Sequence, residues 1–263
     1  MSGQERSICF VAPQAGAFLG GLPGAGGAER QLVLFGAVLR DRGWDVSFVV
    51  DRIPQERIPE ARDFRVFAAP MTYMGGSKKA VLRDWWRLRS VVRDAGSRYV
   101  LLKTPGHLLL PLLFSLRQEQ GLVFFGQTTR RSMPGAPWPV RLVDAIEERC
   151  LSSCEVVLAQ SAEQAARYAP FCKRPPVIVP SIIAASSQPA TERDIDVLWA
   201  GNATPNKRFD LLLETARLLP HVRFSVAMIA CRGMPTEPFR ARAASVPNLD
   251  FLGAVPPPDM DML

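Results

Sequence analysis

The chain has 263 residues, of which 48% are hydrophobic and 22% are charged. This balance predicts a globular protein with one large domain or two smaller ones. The sequence contains no low-complexity tract and no internal repeat at a fixed period, which excludes a repeat protein. The formal net charge of +7 leaves two interpretations open. The chain binds anionic partners such as nucleotides, nucleic acid or acidic lipid headgroups, or it is rich in arginine without any such partner.

Cysteine and histidine do not form a recognisable metal or disulfide pattern. The five cysteines contain no Cys-x-x-Cys pair, and His107 and His221 are the only histidines. We therefore expect reduced thiols and no metal. The first residues show no signal-peptide core, and the longest apolar stretch, at 108–116, is too short to span a bilayer. We expect a cytoplasmic protein.

Strand-like and helix-like runs alternate over the first 180 residues. Strands are predicted at 7–11, 45–50, 65–69, 99–102, 122–125, 155–159 and 177–179. Helices are predicted at 28–42, 78–96, 107–119 and 139–150, and from Ser161 onward. This alternation predicts a parallel sheet covered on both faces. Ligands of such sheets bind at the carboxyl ends of the strands.

The same rhythm restarts after a polar stretch at 181–194, which predicts a linker between domains 1–180 and 195–263. In the second domain, strands are predicted at 196–201, 222–230 and 249–253, and helices at 207–219 and 237–244. A doubly wound domain of this size would leave apolar faces uncovered. We therefore expect the second domain to be incomplete.

A glycine-rich loop precedes the first long predicted helix, in the sequence LPGAGGAERQLVL at 22–34. Glycines such as Gly26 and Gly27 let a backbone approach a ligand closely, and a helix N-terminus attracts anions. The loop has no P-loop lysine, and Glu29 stands where the dinucleotide fingerprint needs its third glycine. The loop therefore predicts an anion site or a plain turn without a ligand.

A second loop repeats this pattern in the sequence AGNATPNKRFD, at 200–210. A strand ends at Gly201, and Lys207 and Arg208 lie at the predicted start of a helix. Basic residues are unfavourable there, because the helix dipole is positive at that end. The pair indicates either a bound anion or a solvated basic surface.

In these loops and in several other segments, the chain resembles glycosyltransferases of family four, which have the GT-B fold. The resemblance rests on the glycine loop, on VVLAQSAEQ and VIVPSI, and above all on VLWAGNATPNKRFDLLLETARLLPHVRF at 197–224. It covers essentially the whole chain. It implies an α/β architecture of two Rossmann-like doubly wound domains that face each other across a cleft.

The resemblance also implies an activity, namely transfer of a sugar from a UDP- or GDP-linked donor to a saccharide or lipid-linked acceptor, with retention of configuration. No metal and no cofactor beyond the nucleotide-sugar is expected. Lys207 matches the family's diphosphate-binding lysine, with Arg208, Gly201 and Asn202 beside it. The loop residues Gly26, Gly27 and Glu29 are expected to meet phosphate or acceptor.

Three departures from the family pattern limit the resemblance. Asn202 stands where the family usually has an arginine after the glycine. Gln127, or alternatively His107, stands in for the family's histidine near the sugar. The family's paired glutamates would lie beyond Leu263. We therefore expect this chain to be inactive on its own, and the alternative is a non-catalytic remnant or interaction module of the same fold.

The predicted helix at 78–96 combines basic residues with Trp85 and Trp86. Such a helix can rest on an anionic membrane, which predicts peripheral contact at the inner membrane face. The competing interpretation is a core-packing helix with a solvated basic face, because Trp85, Leu88 and Val92 lie on one stripe. No nucleic-acid motif is present, and no nucleic-acid partner is expected.

Overall fold

The structure is a computed structural model that describes residues 6–21, 27–70, 78–103, 112–126, 137–182, 195–230 and 234–256. The chain forms two compact units, of which the first contains residues 27–182 and the second contains residues 195–256. Of the predicted linker, residues 181 and 182 belong to the described part. Each unit is built on its own sheet.

The first unit contains a parallel sheet of seven strands. They are β1 (Ser7–Val11), β2 (Asp45–Val50), β3 (Arg65–Ala68), β4 (Tyr99–Leu102), β5 (Gly121–Phe125), β6 (Val156–Ala159) and β7 (Val177–Ile178). Their order across the sheet is β3-β2-β1-β4-β5-β6-β7, and every pairing is parallel. All seven predicted strands are confirmed to within one residue at each end.

Five α-helices of the first unit lie wholly within the described residues. They are α1 (Ala15–Leu19), α2 (Gly27–Asp41), α3 (Lys78–Ala95), α4 (Trp138–Leu151) and α5 (Ala162–Tyr168). Gly43 and Gly96 follow α2 and α3 with φ of +80° and +63°, the left-handed conformation that ends helices and favours glycine. The Ser161 hydroxyl caps α5 by accepting a hydrogen bond from the Gln164 amide.

The predicted helix at 107–119 is wrong over its second half. Among the residues of this stretch that the structure describes, only Leu112 and Leu113 are helical. The Gln120 side chain accepts a hydrogen bond from the Arg117 amide and donates one to the Ser97 carbonyl. Because the Gln120 side chain pairs with the Arg117 N–H, which a helix would have paired with its own backbone, a turn forms here in place of the helix.

The second unit contains a parallel sheet of three strands, β8 (Val197–Asn202), β9 (Phe224–Ile229) and β10 (Leu249–Gly253), in the order β10-β9-β8. Two helices, α6 (Phe209–Leu218) and α7 (Glu237–Ala243), accompany it. The three predicted strands are confirmed. The core of this unit includes Phe209, Leu213, Phe224 and Val226, all buried.

The two faces of the first sheet carry different layers, because successive side chains of a strand alternate. From β1, Cys9 and Val11 join a buried cluster that also contains Leu88 and Val92 of α3. Phe10 points to the other face, where its ring contacts Phe35 of α2 with centroids 6.0 Å apart. Helices α2 and α3 therefore cover opposite faces.

Helix α3 packs through the predicted apolar stripe. Leu88 and Val92 are fully buried and Trp85 is half-buried, which confirms the core-packing interpretation for these residues. Trp86 is 61% exposed, and the Arg89 guanidinium lies 5.3 Å from the centroid of its ring. Contact with a membrane through this exposed face stays a prediction.

The side-chain amide of Gln31 ties α2 to the end of the first unit. It donates to the Ile182 carbonyl and accepts from the Ile182 amide, both at 2.6 Å. The amide group thus pairs with the backbone of Ile182 as a neighbouring strand would. We call this pair of hydrogen bonds the glutamine clamp.

We expect Gln31→Leu to lower the free energy of unfolding of the protein by about 2 kcal/mol, since two partly buried hydrogen bonds are lost and the Ile182 backbone loses both partners. Urea denaturation measures this loss. The exposed residue Gln118 offers a matched control, and Gln118→Leu should change the unfolding free energy by less than about 0.5 kcal/mol. Equal effects of the two changes would contradict a stabilising role of the clamp.

Candidate functional site

The direction in which successive strands are added to the first sheet reverses once, between β1 and β4. Strand β1 is followed by β2 on one side, whereas β4 lies on the other side of β1 and leads on to β5. Ligands of open α/β sheets bind at such a switch point, outside the carboxyl ends of the strands. The residues that follow β1 and β4 are therefore the first place to look for a site.

Lys103 directly follows β4 at this carboxyl edge. Val100 and Leu102 of β4 pack on the face of the sheet that α3 covers. Because successive side chains alternate between the two faces, Lys103 lies on the opposite face, which α2 covers. Its ammonium nitrogen lies 4.5 Å from the centroid of the Phe125 ring. Phe125 in turn contacts Phe35 of α2, with ring centroids 6.2 Å apart.

The Lys103 side chain is almost completely buried, at 1% exposure. No described residue accepts a hydrogen bond from its Nζ. Loss of hydration on burial lowers the pKa of Lys103 to about 8, and the negative charge of Glu29 opposes this shift. Among the described residues, the electrostatic partners of Lys103 are therefore an aromatic ring and one carboxylate.

Glu29 lies in the first turn of α2 and is 7% exposed. It shares the buried stripe of the helix with Leu32, Val33 and Gly36, positions at which a charge is unusual. Glu29 and Lys103 therefore both lie on the side of the sheet that α2 covers.

The predicted residues of the glycine loop are only partly covered by the structure. Gly26, Gln127 and His107 lie outside the described residues, so their predicted roles stay predictions. Gly27 is exposed and is the first residue of α2. A Cβ built on Gly27 would meet no atom of the described residues within 4 Å, so none of them requires a glycine at this position.

In the second unit, the predicted basic pair separates into two different environments. Helix α6 begins at Phe209, so the predicted start at Lys207 is wrong. Lys207 instead ends a 3₁₀ turn at Pro205–Lys207. Arg208 follows with φ of +51° and ψ of +48°, a left-handed conformation that separates this turn from the helix.

Arg208 already has a carboxylate partner. Its Nη2 donates to Asp210 Oδ2 at 2.8 Å, and its Nε lies 3.2 Å from both oxygens of that carboxylate. These hydrogen bonds raise the pKa of Arg208 and lower that of Asp210. The exposed side chain of Lys207, by contrast, has no ion pair with any residue the structure describes. Of the two cations, Lys207 is the more available to an anion.

Gly201 and Asn202 end β8 and are both half-buried. A Cβ on Gly201 would lie 2.9 Å from the indole ring of Trp199, and that ring packs edge-on against Phe209 at 5.7 Å. The glycine therefore has a packing reason in addition to its predicted ligand-binding role. The Asn202 carbonyl accepts a hydrogen bond from the Thr204 amide at 2.7 Å and so shapes the turn toward Lys207.

Sequence reasoning missed Lys103, although a signal for it was present. A lysine directly after the buried run YVLL marks the carboxyl end of a predicted parallel strand, where functional groups gather. The second half of the signal is Glu29, a charge three residues before Leu32 on the stripe that faces the sheet. Neither position is conspicuous alone, and only the fold shows that both lie on the same side of the sheet.

The described residues lack two further features. No group of three or more His, Cys, Asp or Glu side chains among them could hold a metal ion. No helix within the described ranges is long and apolar enough to cross a membrane.

Comparison with known proteins identifies the fold. No protein-family model matches the chain, and no curated relative does. Among solved structures, a sucrose-phosphate synthase from Thermosynechococcus elongatus superimposes with a TM-score of 0.67 and 13% identity, over 95% of this chain and 71% of that one. WaaG, a glycosyltransferase involved in lipopolysaccharide biosynthesis, gives 0.65 and 13%, over 97% and 72%. The chain has the GT-B fold.

A GT-B fold does not by itself specify the reaction. A putative UDP-N-acetylglucosamine 2-epimerase from Listeria monocytogenes matches this GT-B chain with a TM-score of 0.60 and 9% identity, over 98% of this chain and 71% of that one. The predicted architecture is thus confirmed at the level of the fold. The reaction has to be argued from the residues of the site.

Proposed function

We propose that the chain belongs to a retaining glycosyltransferase of family four, which moves a sugar from a UDP- or GDP-linked donor to a saccharide or lipid-linked acceptor. The observation that carries this proposal is the position of Lys207. It is an exposed cation without an ion pair among the described residues, at the carboxyl end of β8 in a chain of GT-B fold.

Sugar transfer breaks the bond between the sugar and the donor diphosphate, so negative charge develops on the departing nucleoside diphosphate. Cations and backbone N–H groups placed beforehand stabilise that charge. In this proposal Lys207 supplies the cation, at the end of the turn that joins β8 to α6. Arg208 contributes to diphosphate binding only if its hydrogen bonds to Asp210 break. The proposal requires no metal ion and no further cofactor.

Calorimetric titration of the protein with UDP, GDP and ADP tests the proposal. We expect saturable binding of UDP or GDP at least about tenfold tighter than that of ADP, because a donor site distinguishes bases through buried hydrogen bonds. Equal, weak binding of all three nucleotides would contradict a nucleotide-sugar site. Inorganic phosphate is the control for charge alone.

A second candidate function is a non-catalytic remnant or interaction module of the same fold. Asn202 favours it, because the resemblance leads us to expect a positively charged arginine at that position. A remnant would show no preference between UDP, GDP and ADP. The same titration therefore separates the two candidates.

A further inference from the structure

Large hydrophobic side chains are exposed on one of the two helical layers of the first unit. Helices α3 and α4 both belong to this layer, because one buried cluster contains Leu88 and Val92 of α3 together with Cys150 and Leu151 of α4. The inner sides of the two helices therefore face the same side of the sheet. Their outer sides face away from the sheet in the same general direction.

Three separate parts of this layer carry an exposed aromatic ring. Trp86 of α3 is 61% exposed, Phe114 is 72% exposed, and Trp138 of α4 is 74% exposed. Leu142 is 50% exposed and lies one helical turn after Trp138, on the same side of α4. We call these four side chains the apolar face.

Phe114 lies in the same layer as the two helices. Leu112, two residues earlier, belongs to the buried cluster that α3 and α4 share. The Ser115 carbonyl accepts a hydrogen bond from Arg93 Nε of α3 at 3.1 Å, which holds this segment beside the helix. The segment joins β4 to β5, whereas α3 joins β3 to β4 and α4 joins β5 to β6. The strand order therefore places it between α3 and α4.

The charge of this layer suits an anionic partner. Six charged side chains are exposed on the described parts of α3 and α4. Five are basic and one is acidic, namely Lys79, Arg83, Arg87, Arg141, Arg149 and Asp94. The acidic residues of α4 are half-buried. Two copies of this layer would repel each other through their like charges, which argues against a second copy of the chain as the partner.

The opposite layer lacks this combination among its described residues. Of the large hydrophobic side chains of α2, only Val38 is exposed, at 37%. The aromatic residue of α2, Phe35, packs inward against Phe10 and Phe125. The exposed rings are therefore a property of one layer and not of the unit as a whole.

Aromatic rings beside basic side chains are typical of helices that lie at a membrane surface. A protein partner would favour anchors gathered in one central, well-packed patch, whereas here they are distributed over three elements. We propose that the apolar face docks on an anionic lipid bilayer, with its aromatic rings in the headgroup region. This surface is broader than the contact predicted for residues 78–96, since the most exposed of its four side chains lies on α4. The proposal does not depend on the reaction that the protein catalyses.

Sedimentation with lipid vesicles tests the proposal. One set of vesicles contains phosphatidylcholine with about 30% phosphatidylglycerol, and the other contains phosphatidylcholine alone. We expect the protein to bind the anionic vesicles at least about tenfold more tightly, because each basic group near the surface adds attraction. Trp138→Ala should weaken this binding roughly tenfold, since an inserted ring is lost. Adding Trp86→Ala should weaken it roughly tenfold again, because the two rings insert independently.

Matched controls separate the apolar face from exposure and charge in general. Leu218→Ala removes a leucine of the second unit that is 80% exposed, and it should leave vesicle binding unchanged. Arg141→Gln should weaken binding about fivefold. Arg42→Gln causes the same change in net charge on the opposite side of the sheet, where the membrane charge is screened, and should have less than about a twofold effect. Circular dichroism confirms that each variant folds.

Tryptophan fluorescence gives a second readout, to which a purely structural role of these residues would not contribute. Anionic vesicles whose acyl chains carry bromine quench tryptophans that enter the bilayer. We expect quenching of the wild-type emission. The double variant Trp86→Phe and Trp138→Phe keeps aromatic anchors, so it should still bind the vesicles but lose most of the quenching.

Three results would overturn the proposal. They are the absence of binding to anionic vesicles, equal binding to neutral and anionic vesicles, and anionic binding that neither tryptophan-to-alanine change weakens. Binding to soluble polyglutamate in place of vesicles would also overturn it, and would assign the layer to an acidic protein. Because no nucleotide is present, failure of this test is independent of the UDP and GDP titration.

Discussion

Lys103→Met is expected to raise the free energy of unfolding of the unliganded protein by roughly 3 kcal/mol at pH 7. Burial lowers the pKa of Lys103 from 10.5 to about 8, and this lowering measures the net cost of keeping the side chain charged in the folded state. The attraction to Glu29 is already included in that pKa. Methionine fills a similar volume without a charge, and replacing buried charges by apolar groups is often stabilising.

The pH dependence of this effect has a definite sign. Between pH 8 and about 10.5 the unfolded chain keeps the Lys103 proton while the folded protein has lost it. Because the unfolded state then binds more protons, the Lys103 contribution to the stability of the wild-type protein rises with pH in this window. The advantage of Lys103→Met should be constant below pH 8 and shrink above it.

Urea denaturation of the wild-type and Lys103→Met proteins at several pH values measures this difference in unfolding free energy. Thiols that titrate in the same pH range contribute equally to both proteins, so their contributions cancel in the difference. Burial raises the pKa of Cys9 to about 11 and that of Cys154 to about 12, and both proteins share these groups. Lys173→Met is the control, and it should change the unfolding free energy by less than about 0.5 kcal/mol. A less stable Lys103→Met protein would mean that the ammonium has a stabilising partner in solution.

Lys207→Ala is expected to weaken the binding of UDP or GDP roughly 10- to 100-fold and to abolish turnover of nucleotide-sugar in a catalytically competent form of the protein. The reason is the loss of a charge-assisted contact to the diphosphate, which is worth most where charge develops during the reaction. Calorimetry gives the affinity, and release of nucleoside diphosphate gives the turnover.

Arg208→Ala is the matched control for this experiment, because the two residues are adjacent and carry the same charge. The Arg208 guanidinium is held by Asp210 at 2.8 Å, so its removal should weaken nucleotide binding less than about threefold. A larger effect of Arg208→Ala than of Lys207→Ala would transfer the proposed diphosphate contact to the arginine. Unchanged turnover in Lys207→Ala would remove Lys207 from the mechanism.

The strands were predictable because each is a short apolar run that the sheet buries. The five residues of β1 and the five residues of β5 are buried throughout, as expected for central parallel strands. Helices α2 and α3 were predictable for a different reason. Their stripes face the sheet, and Gly43 and Gly96 end them in a conformation that other residues adopt at a cost.

Local deviations were not predictable from pattern. The start of α6 depends on the left-handed backbone of Arg208, a conformation that non-glycine residues seldom adopt. The early end of the helix predicted at 107–119 depends on Gln120, whose partner Ser97 lies 23 residues earlier in the chain. Both are tertiary effects that override a local preference.

The candidate site was predictable only in halves. The glycine loop directed attention to Glu29, and the second loop directed attention to Lys207, because each follows a strand in a recognisable order. Lys103 has no motif around it. Its significance comes from strand order, which places the end of β4 beside that of β1, and from burial, which no window of sequence reveals.

The glutamine clamp has a consequence for the order in which the first unit folds. It joins positions 151 residues apart, and six of the seven strands of the sheet lie between them in the sequence. Closing so long a loop costs much chain entropy, so such a contact forms late unless the intervening structure has already brought its ends together. We therefore expect the Ile182 amide to gain protection from hydrogen exchange among the last in the unit, which makes it a natural reporter of completed folding.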